Sequence, residues 1–283
     1  MARVARDERW GLIDAAGNAV VPPTYALLGP FSEGLAPACR DTGVPTGVTE
    51  GVGRQRRPVT ALACGFVDPR GRVAVPFAYS WVNGFADGVA QVKRDRPGPC
   101  LVPAAWGLVD REGRELIPVA HCFVGPPSEG LVKVVFEELS LEVRRFGYHD
   151  LAGRPVLPRL PYDGGHERWS EGRLGVRRGA LFGFIDREGR EVVPLRFTSA
   201  YPYSEGLAAV QLADRWGFVD RTGALAIAAD YDEVESFADG LAWARRGESA
   251  GFLDRDGRIA IPFAFDGWVD REDAPGGARG GAG

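Results

Sequence analysis

Apolar positions along this chain come in short runs set between turn-forming residues, and the runs return in a fixed order. An aromatic-Gly pair opens one run, as in Trp216-Gly217-Phe218-Val219. An Asp-x-x-Gly step leads to a second run, such as Val192-Val193-Pro194, that usually ends in Pro. An acid-Gly pair then precedes a third, such as Gly206-Leu207-Ala208-Ala209-Val210. Each run is too short for a helix and rich in Val, Ile, Phe and Trp, so all three read as strands. Asp at the start of the step and Gly at its end suit a β-turn. Pro donates no backbone hydrogen bond and suits a strand end. The prediction is a three-stranded β-meander, with a short fourth strand near the aromatic that follows the Pro.

The pattern occurs seven times: Trp10–Gly17, Cys64–Gly71, Trp106–Gly113, Phe146–Gly153, Phe182–Gly189, Trp216–Gly223 and Ala250–Gly257. From the Gly of the pair to the end of the following GLAxV-like strand there are 27 positions in most copies, as from Gly11 to Ala38 and from Gly217 to Ala244. The fourth copy has 29, Gly147 to Val176. The next pair follows after 7 positions in the last three joins, giving a period of 34. The joins after Ala38, Val92 and Val134 are longer by 20, 8 and 6 residues, so every insertion enters at one connection. The units run 1–33, 34–87, 88–129, 130–171, 172–205, 206–239 and 240–266, as a single domain. The remainder, 267–283, has the Gly-rich composition of a disordered tail.

In Trp216-Gly217-Phe218-Val219, Trp and Phe face one way and Val the other, as in a sheet covered on both faces. Each unit must then lie between neighbours. Open stacks end in polar caps, yet the first and seventh units are as apolar as the middle ones. The expected fold is all-β, a tandem repeat of seven meander units, with a closed propeller-like ring ranked above an open β-solenoid.

The units resemble the bacterial WG repeat, whose pattern is KWGFIDxxGxxVIPxxYDxxxxFxEGLAxV. Units five and six carry it best, through FGFIDREGREVVP, YSEGLAAV and WGFVDRTG. Cys64, Phe146, Phe182 and Ala250 depart from its Trp. The resemblance implies a β-repeat interaction module without a catalytic set.

Composition narrows the chemistry. The net charge of -4 excludes a broad electrostatic attraction to nucleic acid or membrane. No segment has the apolar length of a membrane span or signal peptide. Four scattered cysteines, Cys39, Cys64, Cys100 and Cys122, form no CxxC pair and read as free thiols in a reducing cytoplasm. The Asp of each Asp-x-x-Gly step and the acid of each acid-Gly pair read as turn residues rather than metal ligands. Trp10, Trp106 and Trp216 read as core rather than sugar-stacking residues. His121, His149 and His166 share no metal-ligand spacing. No nucleophile-elbow, Walker, Rossmann or HExxH motif is present.

No catalytic residue, metal or cofactor is therefore expected. Arg54, Arg56 and Arg57 in the first insertion and Arg94 and Arg96 in the second are the candidate binding residues. The leading expectation is a cytoplasmic, non-enzymatic scaffold that binds an unidentified protein through the face bearing the insertions. A carbohydrate or cell-envelope binder is the first alternative. A small-ligand binder or enzyme with a site in a ring centre is the second.

Overall fold

The computed structural model describes residues 1–50, 57–95, 100, 104–140 and 143–265. The candidates Arg54, Arg56 and Arg96, the side chain of Arg57 and the tail 267–283 lie outside the described residues. Among the described residues all regular structure is β. The chain forms two compact units, Met1–Trp169 and one beginning at Ser170.

The first unit opens with a three-stranded sheet of β1 (Ala2–Arg6), β2 (Arg9–Ile13) and β3 (Ala19–Tyr25). Three four-stranded antiparallel sheets follow. The second comprises β4 (Leu27–Leu28), β5 (Ala36–Glu50), β6 (Arg57–Val67) and β7 (Val73–Tyr79). The third comprises β8 (Trp81–Val82), β9 (Val89–Asp95), β10 (Ala104–Asp110) and β11 (Glu115–His121). The fourth comprises β12 (Phe123–Val124), β13 (Leu131–Glu138), β14 (Arg144–Asp150) and β15 (Pro155–Leu157), with β16 (Gly164–Gly165) beyond it. The second unit carries the meander β17 (Leu174–Arg178), β18 (Leu181–Ile185) and β19 (Glu191–Phe197). Two further sheets are formed by β20 (Ser199–Ala200), β21 (Ala208–Leu212), β22 (Arg215–Val219) and β23 (Leu225–Tyr231), and by β24 (Glu233–Val234), β25 (Leu241–Arg246), β26 (Ser249–Asp254) and β27 (Ile259–Phe265).

The short fourth strand near the aromatic is present, but it leaves its own repeat. β4 follows Tyr25 of the first meander and pairs with β5 of the next, Leu28 opposite Ala38. Within each unit such strands stitch one repeat to its successor, so a sheet begins slightly before its sequence period does.

The sheets that contain β6 and β22 are covered on both faces, as the alternation within the strands requires. In β6, Phe66 packs toward the third sheet with Val82, Phe85 and Ala90, while Val67 packs toward the first with Leu12 and Tyr25. In β22, Phe218 and the partly buried Trp216 join one cluster and Val219 the other.

The aromatic-Gly pair has a steric cause. Trp216 pairs with Tyr231 and Phe218 with Ile227, so β23 bulges over Gly217. A Cβ on Gly217 would lie 2.5 Å from the Ile227 carbonyl oxygen, and one on Gly11 equally close to that of Val21. Only glycine admits a backbone at that distance. The Pro that usually follows the second run sits in this bulge, where its missing N–H is least costly.

Candidate interaction surface

Antiparallel order gives each sheet two dissimilar ends. The Asp-x-x-Gly turn and the acid-Gly turn lie at one end, and the hairpin between the first and second full strands, such as β5–β6, lies at the other. The insertions enter only at the hairpin end.

At the acidic end the Asp makes the turn itself. Asp14 Oδ1 accepts the backbone N–H groups of Ala16 and Asn18, both at 2.9 Å, and the Asp14 carbonyl accepts Gly17 N–H. The Asn18 N–H, the Asn18 amide and the neighbouring turn N–H groups hold the Asp14 carboxyl below the usual range.

The acid-Gly pair closes a two-residue hairpin. Ser32 and Leu35 exchange backbone hydrogen bonds, with Glu33 at φ 52° and Gly34 at φ 83°. Positive φ at both central positions is what the tightest hairpin requires. A non-glycine residue there is unusual, and here it recurs at Asp87, Glu129, Glu171, Glu205 and Asp239.

The glutamates do more than turn the chain. Glu33 accepts the Gly88 N–H of the next acid-Gly turn at 3.1 Å and pairs with Arg111, one repeat further on, at 2.5 Å. The Arg111 guanidinium, with Gly88 N–H behind it, holds the Glu33 carboxyl below its usual range against partial desolvation. Glu171 repeats the arrangement with Gly206 at 2.9 Å and Arg221 at 2.7 Å. Glu205 does so with Gly240 at 3.0 Å. The serine before each of these glutamates donates to the aromatic carbonyl of the next repeat, Ser32 to Phe85 and Ser204 to Phe237. Spacing alone did not reveal this latch, because its partners lie a whole repeat or more apart.

At the hairpin end the second unit has minimal turns, such as Leu212–Arg215 with Ala213 and Asp214 at positive φ. In the first unit the β5–β6 hairpin continues from the sheet out to a Glu50–Arg57 pair, with register shifts after Asp41 and Pro45. Thr42 and Thr46 donate across it to the carbonyls of Ala61 and Val59. Val44 and Val48 stand about 60 % exposed on it, at 60 and 59 %.

The cysteines correct the expectation of free thiols. Cys39 and Cys64 are directly opposed on β5 and β6 and form a disulfide at the base of the long hairpin. Cys100 of the second insertion is bonded to Cys122, at the turn between β11 and β12. The absence of a CxxC motif concealed both bonds. A hairpin register extended outward from the Gly65–Ala38 pair would have revealed the first.

Arg94 is held by its own sheet through Glu115 and by the second sheet through Ala78 and Tyr79. It pairs with Glu115 at 2.9 Å, donates to the Ala78 carbonyl and lies over the Tyr79 ring. Trp10, Trp106 and Trp216 are partly buried at the margin of the core, short of full core burial. Near the same end, Trp81 (38 % exposed) packs edge-on against Trp106, and Trp106 against Phe123, with ring centroids 5.1 and 5.4 Å apart.

A cleft of about 420 Å³ opens beside the β13–β14 hairpin, lined by Phe136, Glu137, Arg145, Pro158 and Arg159. His121 and His149 flank Phe136 at 5.7 and 6.2 Å between centroids. Burial lowers the pKa of both imidazoles and favours their neutral form. Nothing in the sequence pattern singled out Phe136 or the distant Arg159.

Comparison with known proteins bears on the repeat. A family model described as "WG containing repeat" matches residues 10–41, 65–96, 182–216 and 216–248. No curated protein matches the sequence. Among solved structures, a eukaryotic initiation factor superposes with a TM-score of 0.41 at 11 % identity, over 92 % of this chain and 83 % of that one. A structure described as KlHsv2 with loop 6CD replaced by a Gly-Ser linker gives 0.38 at 8 % identity, and the chain spans 61 % of its length and 61 % of its own. The AfRom2 CNH domain gives 0.34 at 11 %, over 83 % of this chain and 87 % of that one. Scores this low assign neither fold nor function.

Proposed function

We propose that this chain of WG repeats is a non-enzymatic β-repeat scaffold that binds another protein through the hairpin end of its first unit. The observation that carries the reading is the placement of the insertions. The 20, 8 and 6 extra residues of the three long joins all enter at that end, and each disulfide pins an inserted segment. Loops drifting without function need no covalent anchor, whereas a contact surface gains from being held in its bound form. The opposite end is engaged with itself, since Glu33, Glu171 and Glu205 are taken by N–H groups of neighbouring repeats.

Stable disulfides belong to oxidising compartments. The cytoplasmic expectation rested on free thiols and loses that support, so an oxidising compartment is the location we now favour.

The test is affinity capture from native lysate under non-reducing conditions. Residues 42–61 are replaced by Asn-Gly, which restores the two-residue turn seen at Arg178–Leu181. A protein captured by the native chain and lost from the variant supports this face. Equal capture by both removes the long hairpin from the contact surface.

A second reading, carbohydrate binding, is favoured by the half-exposed Trp81–Trp106–Phe123 array, because aromatic rings stack on sugar faces. Saturable quenching of tryptophan fluorescence by soluble cell-wall glycans, abolished by Trp81→Ala, would favour it over the protein-binding reading.

A further inference from the structure

The cleft beside the β13–β14 hairpin combines three properties. Phe136, half-buried, and Pro158 give it an apolar floor and wall. Glu137 is matched by Arg145, whose Nε lies 3.2 Å from its carboxylate, so its charge opposes an incoming anion only weakly. Arg159 has no hydrogen-bond or ion-pair partner among the described residues. A guanidinium without a partner at the rim of an apolar floor calls for an anion joined closely to an apolar group. Guanidinium and carboxylate match in a planar, two-bond geometry.

We infer that this cleft receives the C-terminal residue of a partner polypeptide, with its carboxylate on Arg159 and its apolar side chain against Phe136 and Pro158. A chain terminus carries the carboxylate and the side chain on one carbon, so a single residue supplies both groups to a cleft lined by Arg159, Phe136 and Pro158. An internal apolar residue has the side chain without a carboxylate on the same carbon. The volume of about 420 Å³ is near the lower end for ligand sites, so it suits a terminal residue rather than a folded surface. The flanking imidazoles are favoured in their neutral form by burial and leave the apolar floor intact. This inference rests on the protein-binding reading and deepens it.

The experiment uses the full chain and a fluorescein-labelled hexapeptide of glycine and serine ending in phenylalanine, as the free acid and as the amide. Fluorescence anisotropy should show saturable binding of the acid. Binding of the amide should be about tenfold weaker, the consequence of losing one charge-assisted hydrogen-bonded pair. Arg159→Gln, an exposed position whose folding is checked by its melting curve, should reduce acid binding to the level of the amide. Equal binding of acid and amide overturns the inference, as does full acid binding by Arg159→Gln or no binding of either peptide. A lysate partner retained by Arg159→Gln but lost when the long hairpin is replaced would sink the cleft alone. A partner captured by neither native chain nor variant would sink the scaffold reading itself.

Discussion

Lys133 is one of two lysines in the chain, and it is only 4 % exposed. It occupies the third position of β13, where β9 has Gln91. Gln91 donates to the Val124 carbonyl of the next sheet at 2.6 Å and accepts from Asn83. Lys133 reaches across in the same way to the His166 carbonyl, at 3.5 Å, and lies over the Phe146 ring. Glu167 favours its charge and Arg144 opposes it, while the nearby Tyr148 stays neutral because burial raises its pKa. Burial dominates and brings the Lys133 pKa down to about 8. Below pH 8 both folded and unfolded chains hold the proton, so the burial cost stands in full. Between pH 8 and 10.5 the folded chain releases it while the unfolded chain keeps it, and stability should rise by about 3 kcal/mol. Lys133→Met keeps the volume and removes the charge, so it should stabilise the protein at pH 7 by roughly 1–3 kcal/mol. Urea unfolding at pH 7, 8.5 and 10 should show that advantage shrinking with pH. A constant difference would mean that Lys133 does not titrate in this window. The sequence showed that lysine was scarce and nothing of its burial, because the covering carbonyl lies 33 residues further along the chain.

The same distinction holds for whole elements. What the repeated pattern itself sets was legible: the meander, the Asp turn and the two-faced strands. The glutamate latch was not, since Glu171 serves a turn at Gly206 and an arginine at position 221. Glu171 also holds a left-handed backbone, φ 52°, that glycine would adopt at no steric cost. Its retention therefore needs a compensating contact, and the carboxylate provides it. Glu171→Ala should lower unfolding free energy by about 1–2 kcal/mol by leaving the Gly206 N–H and Arg221 unmatched. A double-mutant cycle with Arg221→Ala should give a coupling of at least about 0.5 kcal/mol. Additive losses would show that the pair is geometric proximity without energetic connection.

At the scale of the molecule, repetition supplies the core and departures from it mark the surface. The surplus lengths at three joins located the inserted hairpins from counting alone. What counting could not give was how they are held, because a disulfide depends on which strands lie side by side. Cys39 and Cys64 enclose most of the first insertion, and their separation of 25 residues corresponds to about 3 kcal/mol of restricted unfolded-chain entropy. Cys100 and Cys122, 22 apart, contribute similarly. Reduction by a dithiol should therefore lower the unfolding midpoint while the sheets persist, because β5 and β6 remain paired by their own ladder. Hydrogen exchange should separate these effects. On reduction, protection should fall across residues 42–50 and stay high in β22 and β26 of the second unit. Uniform loss of protection would mean that the disulfides support the whole fold rather than the inserted face. No loss in the long hairpin would mean that its order comes from its own pairing, and would leave the cross-links without the surface role proposed for them.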